Sequence, residues 1–467
     1  MKKIFFIALL FVTSKSLYAG DTASTLSLED FFSIVKKFHP VAKQADIQVK
    51  KAAATLLISR GAFDPIANVY SNNKTFDGIN YYQNTVTQLN IPTWYGIEVQ
   101  AGTEYLNGTR IDPQETLGKT SFAGISIPLA KNLLIDKRRA ALQQAKIMQQ
   151  ASAQERRMML NDLLMEAADT YWEWVLANNI YETYSEVITI NKKRLGLVVS
   201  AYNNGESPAI DTVEAAAQLQ QFEYLQNEAL LNIQNAGVAL SAFLWTENNQ
   251  WYNLPEEVKP KKKLKELYDA VIFPELNALL DAAKKNHPAL NMYNYKLNVL
   301  EIERKLKFQE LLPTLDLKYT QLGKGYNIAS TATKSLFDNN YRFGINLAVP
   351  LRLSLGRGEY KLAKLKITET KLEQNQKEAE VLNKVRMYYN QLVNYKTQVT
   401  LLQKNYASYQ RLQKGEELKF FNGESNLFLV NSRENKTLET LLKLTETTIK
   451  YNKTAQALQW AAGQLQL

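Results

Sequence analysis

The sequence contains no cysteine and only two histidines, His39 and His287, in 467 residues. Without cysteine there can be no disulfide framework, no thiol chemistry and no lipid-acylated N-terminal anchor. Soft metal ligands are scarce, and neither a phosphate-cradling glycine loop nor a nucleophile elbow occurs. A catalytic site, a metal site and a resident cofactor are therefore not expected. The N-terminal apolar run, Ile4 to Val12, is also short, roughly nine residues against the ~20 that span a bilayer as a helix. With Lys2 and Lys3 before it and the small residue Ala19 after it, residues 1–19 read as a secretory signal peptide, cut near Gly20.

A strong charge of one sign is missing as well. The formal net charge is +10, and removal of Lys2, Lys3 and Lys15 with the leader leaves about +7. Basic residues are dispersed among acids, and the one run, Lys259 to Lys265, is interrupted by Pro260 and Leu264. Nucleic acid is not an expected partner.

No proline occurs between Pro128 and Pro208, in a stretch rich in Ala, Leu, Gln, Lys and Glu. This predicts one helix from about Asp136 to Tyr202, of order 100 Å at ~1.5 Å per residue. A second long helix is predicted from about Glu359 to Phe421. Return helices are predicted near Ala209–Leu244 and Leu427–Ala462, and shorter preceding ones near Pro40–Ser59 and Pro288–Leu312. Helices this long need neighbours along their whole length, so coiled-coil-like packing is expected.

The chain is two copies of one unit. Asn-Gly-Glu-Ser occurs at 204–207 and again at 422–425. In the same order come His39-Pro40 with His287-Pro288, Pro65 with Pro313, Ile127-Pro128-Leu129 with Val349-Pro350-Leu351, and Ala239-Leu240 with Ala457-Leu458. The offset falls from 248 to 222 between Pro65 and Pro128, so one segment is longer in the first copy. The organisation is read as signal peptide 1–19, first repeat 20–245, linker 246–274 with a short helix around Leu264 to Val271, and second repeat 275–467.

Period-two alternation marks strands between the helices. Tyr341, Phe343, Ile345, Leu347 and Val349 alternate with Arg342, Gly344, Asn346 and Ala348, giving one apolar and one polar face. Leu315, Leu317 and Tyr319 form the partner strand. The first copy offers Ile97 to Ala101 and Ala123 to Ile127, with weaker candidates at Ile66–Ser71 and Thr85–Ile91. The longer first segment leaves room for an extra hairpin or for long loops, and periodicity does not choose between them. So few strands cannot close a sheet alone; placed in lipid, they require several chains to complete a barrel. Trp172, Trp174, Trp245 and Trp460 read as core or interface residues of helices. Tyr319, Tyr341 and Phe343 fit either an interfacial aromatic girdle or core positions.

Over essentially its whole mature length the chain resembles the TolC-like outer-membrane efflux proteins. The resemblance lies in the twice-repeated order of short helix, strand pair ending in Pro128-Leu129 or Pro350-Leu351, long helix, aromatic-x-x-Gly turn and return helix. The turns are Tyr202-Asn203-Asn204-Gly205 and Phe420-Phe421-Asn422-Gly423. The resemblance implies a mainly α fold with a β-barrel portion: duplicated helix hairpins forming a trimeric α-helical tunnel, continued by an oligomer-closed outer-membrane β-barrel. It implies a homotrimer in the outer membrane with a periplasmic helical extension, partnered by lipid, a periplasmic adaptor and an inner-membrane transporter, and working in efflux or type I export.

In the family, acidic residues six and nine positions after the second tip glycine ring the periplasmic entrance. Here those positions are Leu429 and Ser432, and the same spacing from Gly205 gives Asp211 and Glu214. These four are the pore-entrance candidates. Asp211 and Glu214 also fit ordinary first-turn acids after Pro208. Tyr202, Asn204, Gly205, Glu206, Phe420, Asn422, Gly423 and Glu424 are the tip and adaptor-contact candidates. The family's latch is altered, because Phe420 lacks a hydroxyl and Ser425 stands where a basic residue would be. A periplasmic adaptor or helical scaffold is the alternative class, distinguished by solubility without detergent.

Overall fold

The computed structural model describes residues 25–261, 264–268 and 275–465. The expected signal peptide lies outside these residues, as do 262–263 and 269–274 of the expected linker. Two compact units are present. One comprises residues up to Val35, Ala167–Val271 and Tyr395–Lys453; the other comprises Lys36–Glu166, Ile272–Asn394 and the residues from Thr454 on.

Both repeats begin with a helix that the sequence reading did not anticipate, α1 (Leu28–Phe38) and α5 (Leu276–Asn286). Phe31 and Val35 are buried in the first, and Leu279 and Ala283 at the equivalent places in the second. Next come α2 (Pro40–Gly61) and α6 (Pro288–Phe308), the latter followed by a 3-10 turn over Gln309–Leu311. The repeated His-Pro pair now has a physical role. In each copy the proline starts the helix while the histidine Nδ1 accepts the amide two residues on, Val41 or Ala289, both at 3.2 Å. Each imidazole is thus an N-cap that works only when Nδ1 is unprotonated.

The long helices α3 (Lys137–Asn203) and α7 (Ser354–Phe421), and the return helices α4 (Ala209–Ser241) and α8 (Leu427–Ala461), lie close to their expected bounds. Their burial follows coiled-coil spacing. Val385, Leu392 and Val399 of α7 are buried seven residues apart. In α8 the buried positions Leu427, Val430, Glu434 and Thr437 keep the three-four rhythm, continued by Leu444, Thr448 and Tyr451. Several of its threonines bond back to their own helix. Thr440, Thr445, Thr447 and Thr448 donate to the carbonyls of Lys436, Leu441, Lys443 and Leu444 at 2.7–2.9 Å. Trp172 and Trp174 are buried, as expected for helix core residues.

The described residues of the expected linker pair with other parts of the chain. Lys259–Pro260 pairs in parallel with Thr25–Leu26, and the carbonyl of Leu267, in the short helix Leu264–Leu267, accepts from Asn452 Nδ2 at 3.1 Å.

The longer first segment contains an extra hairpin. Strands β1 (Ile66–Phe76) and β2 (Ile79–Pro92) meet at Asp77-Gly78, both with positive φ (50° and 74°), the two-residue turn that suits right-handed strand twist. With β3 (Glu98–Asn107), β4 (Gly118–Pro128), β5 (Thr314–Lys324) and β6 (Tyr341–Ala348) they form one six-stranded antiparallel sheet in sequence order. The repeats join at β4–β5, nine residue pairs from Thr120–Lys324 to Pro128–Asp316. Among the described residues β1 and β6 are edges, each unpaired on one side.

Register sorts the two faces. Ile91, Val99, Ile125, Tyr319 and Phe343 stand in one row across β2 to β6. The adjacent row on that face, Ala67, Leu89, Ala101, Ala123, Gln321 and Tyr341, crosses all six strands. The opposite face carries Asn90, Gln100, Gly124, Thr320 and Arg342, with Glu98, Ser126 and Lys318 beside them. Tyr319, Tyr341 and Phe343 lie on the apolar face, gathered around Phe337 of the β5–β6 loop.

Candidate functional site

The two hairpin turns close alike. The Gly205 amide donates to the Tyr202 carbonyl at 2.9 Å and the Glu206 amide to Ala201 at 2.8 Å; Gly423 donates to Phe420 at 3.0 Å and Glu424 to Lys419 at 2.8 Å. These crossed bonds form a Schellman closure around a left-handed residue. Both glycines have φ of 76°, and an added Cβ would meet nothing within 4 Å. Backbone conformation alone therefore selects glycine.

Tyr202, Asn204, Gly205 and Glu206 are exposed, as are Asn422, Gly423 and Glu424. Phe420 behaves differently. It is half-buried and packs against a cluster of Val198, Ala215 and Leu427, one residue from each of the other three helices. Where the family pattern places a hydroxyl, this chain has a hydrophobic plug between the hairpins. Ser425 Oγ donates to Glu416 Oε1 at 2.6 Å, bracing the second turn against its own long helix.

Asp211 and Glu214 lie in different surroundings. Asp211 lines a cleft of about 830 Å³ between the hairpins, together with Lys193, Arg194, Glu206 and Glu417. Glu214 and Ser432 share a groove of about 730 Å³ with Tyr409 and Arg433. Here Glu214 Oε1 accepts from Asn431 Nδ2 at 3.2 Å, and one turn on Gln218 Nε2 donates to Asn435 Oδ1 at 2.7 Å. The return helices are thus laced side by side in the same direction. Leu429 is 40% exposed.

The strongest electrostatic feature of this region was absent from the sequence reading. Arg194 of α3 makes a two-pronged pair with Glu434 of α8, Nη1 to Oε2 at 2.7 Å and Nη2 to Oε1 at 3.0 Å. Asn191 Nδ2 reaches both Glu434 oxygens at 3.2 Å, and Glu417 Oε1 lies 3.4 Å from Arg194 Nη2. The side chains of Arg194 and Glu434 are only 13% and 6% exposed. A carboxylate this buried requires its partner, and the pair clasps the first hairpin to the second. The signal lay in Glu434 occupying a seam position of α8; the identity of its partner did not.

The model of the Outer membrane efflux protein family matches residues 279–464. No curated protein sequence matches the chain. Among solved structures, the Campylobacter jejuni CmeC outer membrane channel is similar with a TM-score of 0.63 at 15% identity, covering 94% of this chain and 86% of that one. The Neisseria gonorrhoeae MtrE outer membrane channel, in its open state, gives 0.67 at 12% identity over 94% and 89%. The Vibrio cholerae outer membrane protein VceC gives 0.62 at 13% identity over 94% and 96%. The chain thus shares the fold of these outer-membrane channels along nearly all of its length, and its residues 279–464 match the sequence model of the Outer membrane efflux protein family.

Proposed function

We propose that this chain is the outer-membrane channel of a tripartite efflux or type I export system, a passive conduit for substrates handed over by an inner-membrane transporter and a periplasmic adaptor. The observation that carries the reading is the six-stranded sheet with one apolar face, one polar face and two unpaired edges. In lipid every backbone amide needs a partner, so such a sheet is completed by further copies, with its polar face toward water. Among the described residues no helix is long and apolar enough to cross a membrane; the apolar face of the sheet is suited to lipid by its own side chains. The assembly is a homotrimer whose work is passage, with no reaction step. Residues 20–245 and 275–467 act as its two repeats, joined by 246–274.

Within this reading the exposed tips, Tyr202 to Glu206 and Asn422 to Glu424, are the adaptor contacts. Asp211 and Glu214 supply negative charge near the periplasmic entrance, where Leu429 and Ser432 carry none. The test is extraction of the mature protein from outer membranes in detergent, negative-stain imaging and reconstitution into planar bilayers. Three-fold particles that conduct ions support the reading. A protein soluble without detergent, monomeric and non-conducting, overturns it and favours an adaptor or scaffold.

A further inference from the structure

The family resemblance implies one strand pair per repeat, but the first repeat contains two. The extra hairpin, β1 and β2, is fully integrated into the sheet. β2 pairs with β3 over ten residues, Gln83–Asn107 to Pro92–Glu98, and β1 pairs with β2 along its whole length. The faces also continue into it. Ala67 and Leu89 extend the apolar row, while Asn68, Gln88 and Asn90 extend the polar face. No turn back over the sheet separates the hairpin from the remaining four strands, although the two-face pattern weakens within it, where Ser71, Thr85 and Thr87 lie on the apolar side and Tyr70 and Val86 on the polar one.

We infer that all six strands enter the barrel wall, so that a trimer closes a barrel of eighteen strands, three times six, with β1 of one protomer paired to β6 of the next. The inference rests on the channel reading and specifies its membrane part. Strand direction alternates along the antiparallel sheet, so an even number of strands leaves β1 and β6 running opposite ways. Copies placed head to tail therefore meet antiparallel at every seam, and the ring has no remaining edge. The edges are suited to pairing. All eight residues of β6 are exposed, with Tyr341, Phe343, Ile345 and Leu347 between 45% and 63%. β1 carries exposed Ile66, Val69 and Tyr70 and has no proline or bulge along the stretch Ile66–Asn73 that would oppose β6. Face matching fixes the parity of the seam, with Ala67, Val69 and Ser71 on the same side as Phe343 and Ile345. Barrel diameter grows roughly linearly with strand number, so the wall is about 1.5 times as wide as one built from four strands per chain. It falls in the size class of aqueous porin channels.

The natural absence of cysteine supplies a clean test. Directly opposed residues in antiparallel strands have Cα atoms about 4.5–5.5 Å apart, within disulfide range. Ile345→Cys is combined in turn with Ala67→Cys, Val69→Cys or Ser71→Cys, and membranes are oxidised with copper phenanthroline. The inference expects one in-register pair to convert most of the monomer into covalent trimer. Asn68→Cys or Tyr70→Cys, on the opposite face, should link at least ten-fold less. Linking of Ile345→Cys to Ala101→Cys or Thr103→Cys on β3 would mean that the hairpin lies outside a twelve-strand wall, which overturns the inference and leaves the channel reading intact. Should the double variants fail to insert, a three-dimensional electron-microscopy map of the unmodified trimer counts strands directly: eighteen supports the inference and twelve refutes it. A protein that forms no trimer removes the channel reading and the inference together.

Discussion

Replacing Glu434 with glutamine keeps the side-chain shape and removes the negative charge facing Arg194. Both side chains are nearly buried, 6% and 13% exposed, and loss of one member of such a pair costs about 3–5 kcal/mol because the other charge is stranded. Glu417 remains 3.4 Å from Arg194 Nη2 and screens part of that penalty, which places the expected cost near ~3 kcal/mol. The clasp is confined to α3, α7 and α8, so the effect falls on local opening of the hairpins. At about 1.4 kcal/mol per factor of ten, amides around Asn191–Val198 and Leu427–Leu438 should exchange hydrogen about 100-fold faster. Hydrogen-exchange mass spectrometry of the detergent-solubilised protein reads this directly. The double variant Arg194→Met with Glu434→Leu removes both charges and should return exchange to within about ten-fold of the parent. If Glu434→Gln accelerates exchange by less than ten-fold, or if the double variant is as open as the single one, the clasp is not what holds the hairpins together.

Three further outcomes are expected. Burial, reinforced by Lys377, Lys384 and Arg157 and only partly opposed by Asp162, pushes the His287 imidazole down to about 4. The unfolded chain takes up a proton near pH 6.5 that the folded cap refuses, so stability is full above about 6.5 and falls as pH drops toward 4, by ~2 kcal/mol after allowance for its partial exposure. His287→Asn keeps a capping oxygen that does not titrate and should flatten that slope in denaturant melts; an unchanged slope would refute the assignment. Next, a Cβ at Gly356 would sit 2.6 Å from the Glu310 carbonyl, whereas one at Gly358 meets nothing within 4 Å. Gly356→Ala should therefore destabilise by about 1–3 kcal/mol and Gly358→Ala should be neutral or mildly stabilising, a contrast that thermal melts detect. Finally, Asp211→Lys with Glu214→Lys should shift the single-channel reversal potential in a salt gradient away from cation preference, and an unshifted potential would remove both residues from the entrance.

The features that local pattern could carry were legible in the sequence. Proline-free, alanine- and glutamine-rich stretches gave α3 and α7 within a few residues at each end, and the glycine turns were placed because only a left-handed residue closes them. The extra hairpin was harder. Its turn, Asp77-Gly78, is a strong hairpin signal, but β1 carries Asn68, Asn72 and Asn73, poor strand formers that blur the alternation. The junction of β4 with β5 and the pairing of Arg194 with Glu434 are long-range facts. The clasp partners are 240 residues apart, and no local spacing couples them. Phe420 was read as a latch that had lost a hydroxyl; its packing against three other helices depends on tertiary structure that a single helix pattern does not contain.

The threonines of α8 have a mechanical meaning. A side chain that spends its hydroxyl on the carbonyl four residues earlier presents little more than a methyl group to the neighbouring helix. At Thr440, Thr445, Thr447 and Thr448 the helix therefore meets its surroundings through small, self-satisfied groups, by close contact and not by a directional bond. The directional ties of α8 lie elsewhere along its length, at Asn431, Glu434, Asn435 and Asn452, so these residues set its register while the threonines let its neighbours approach closely.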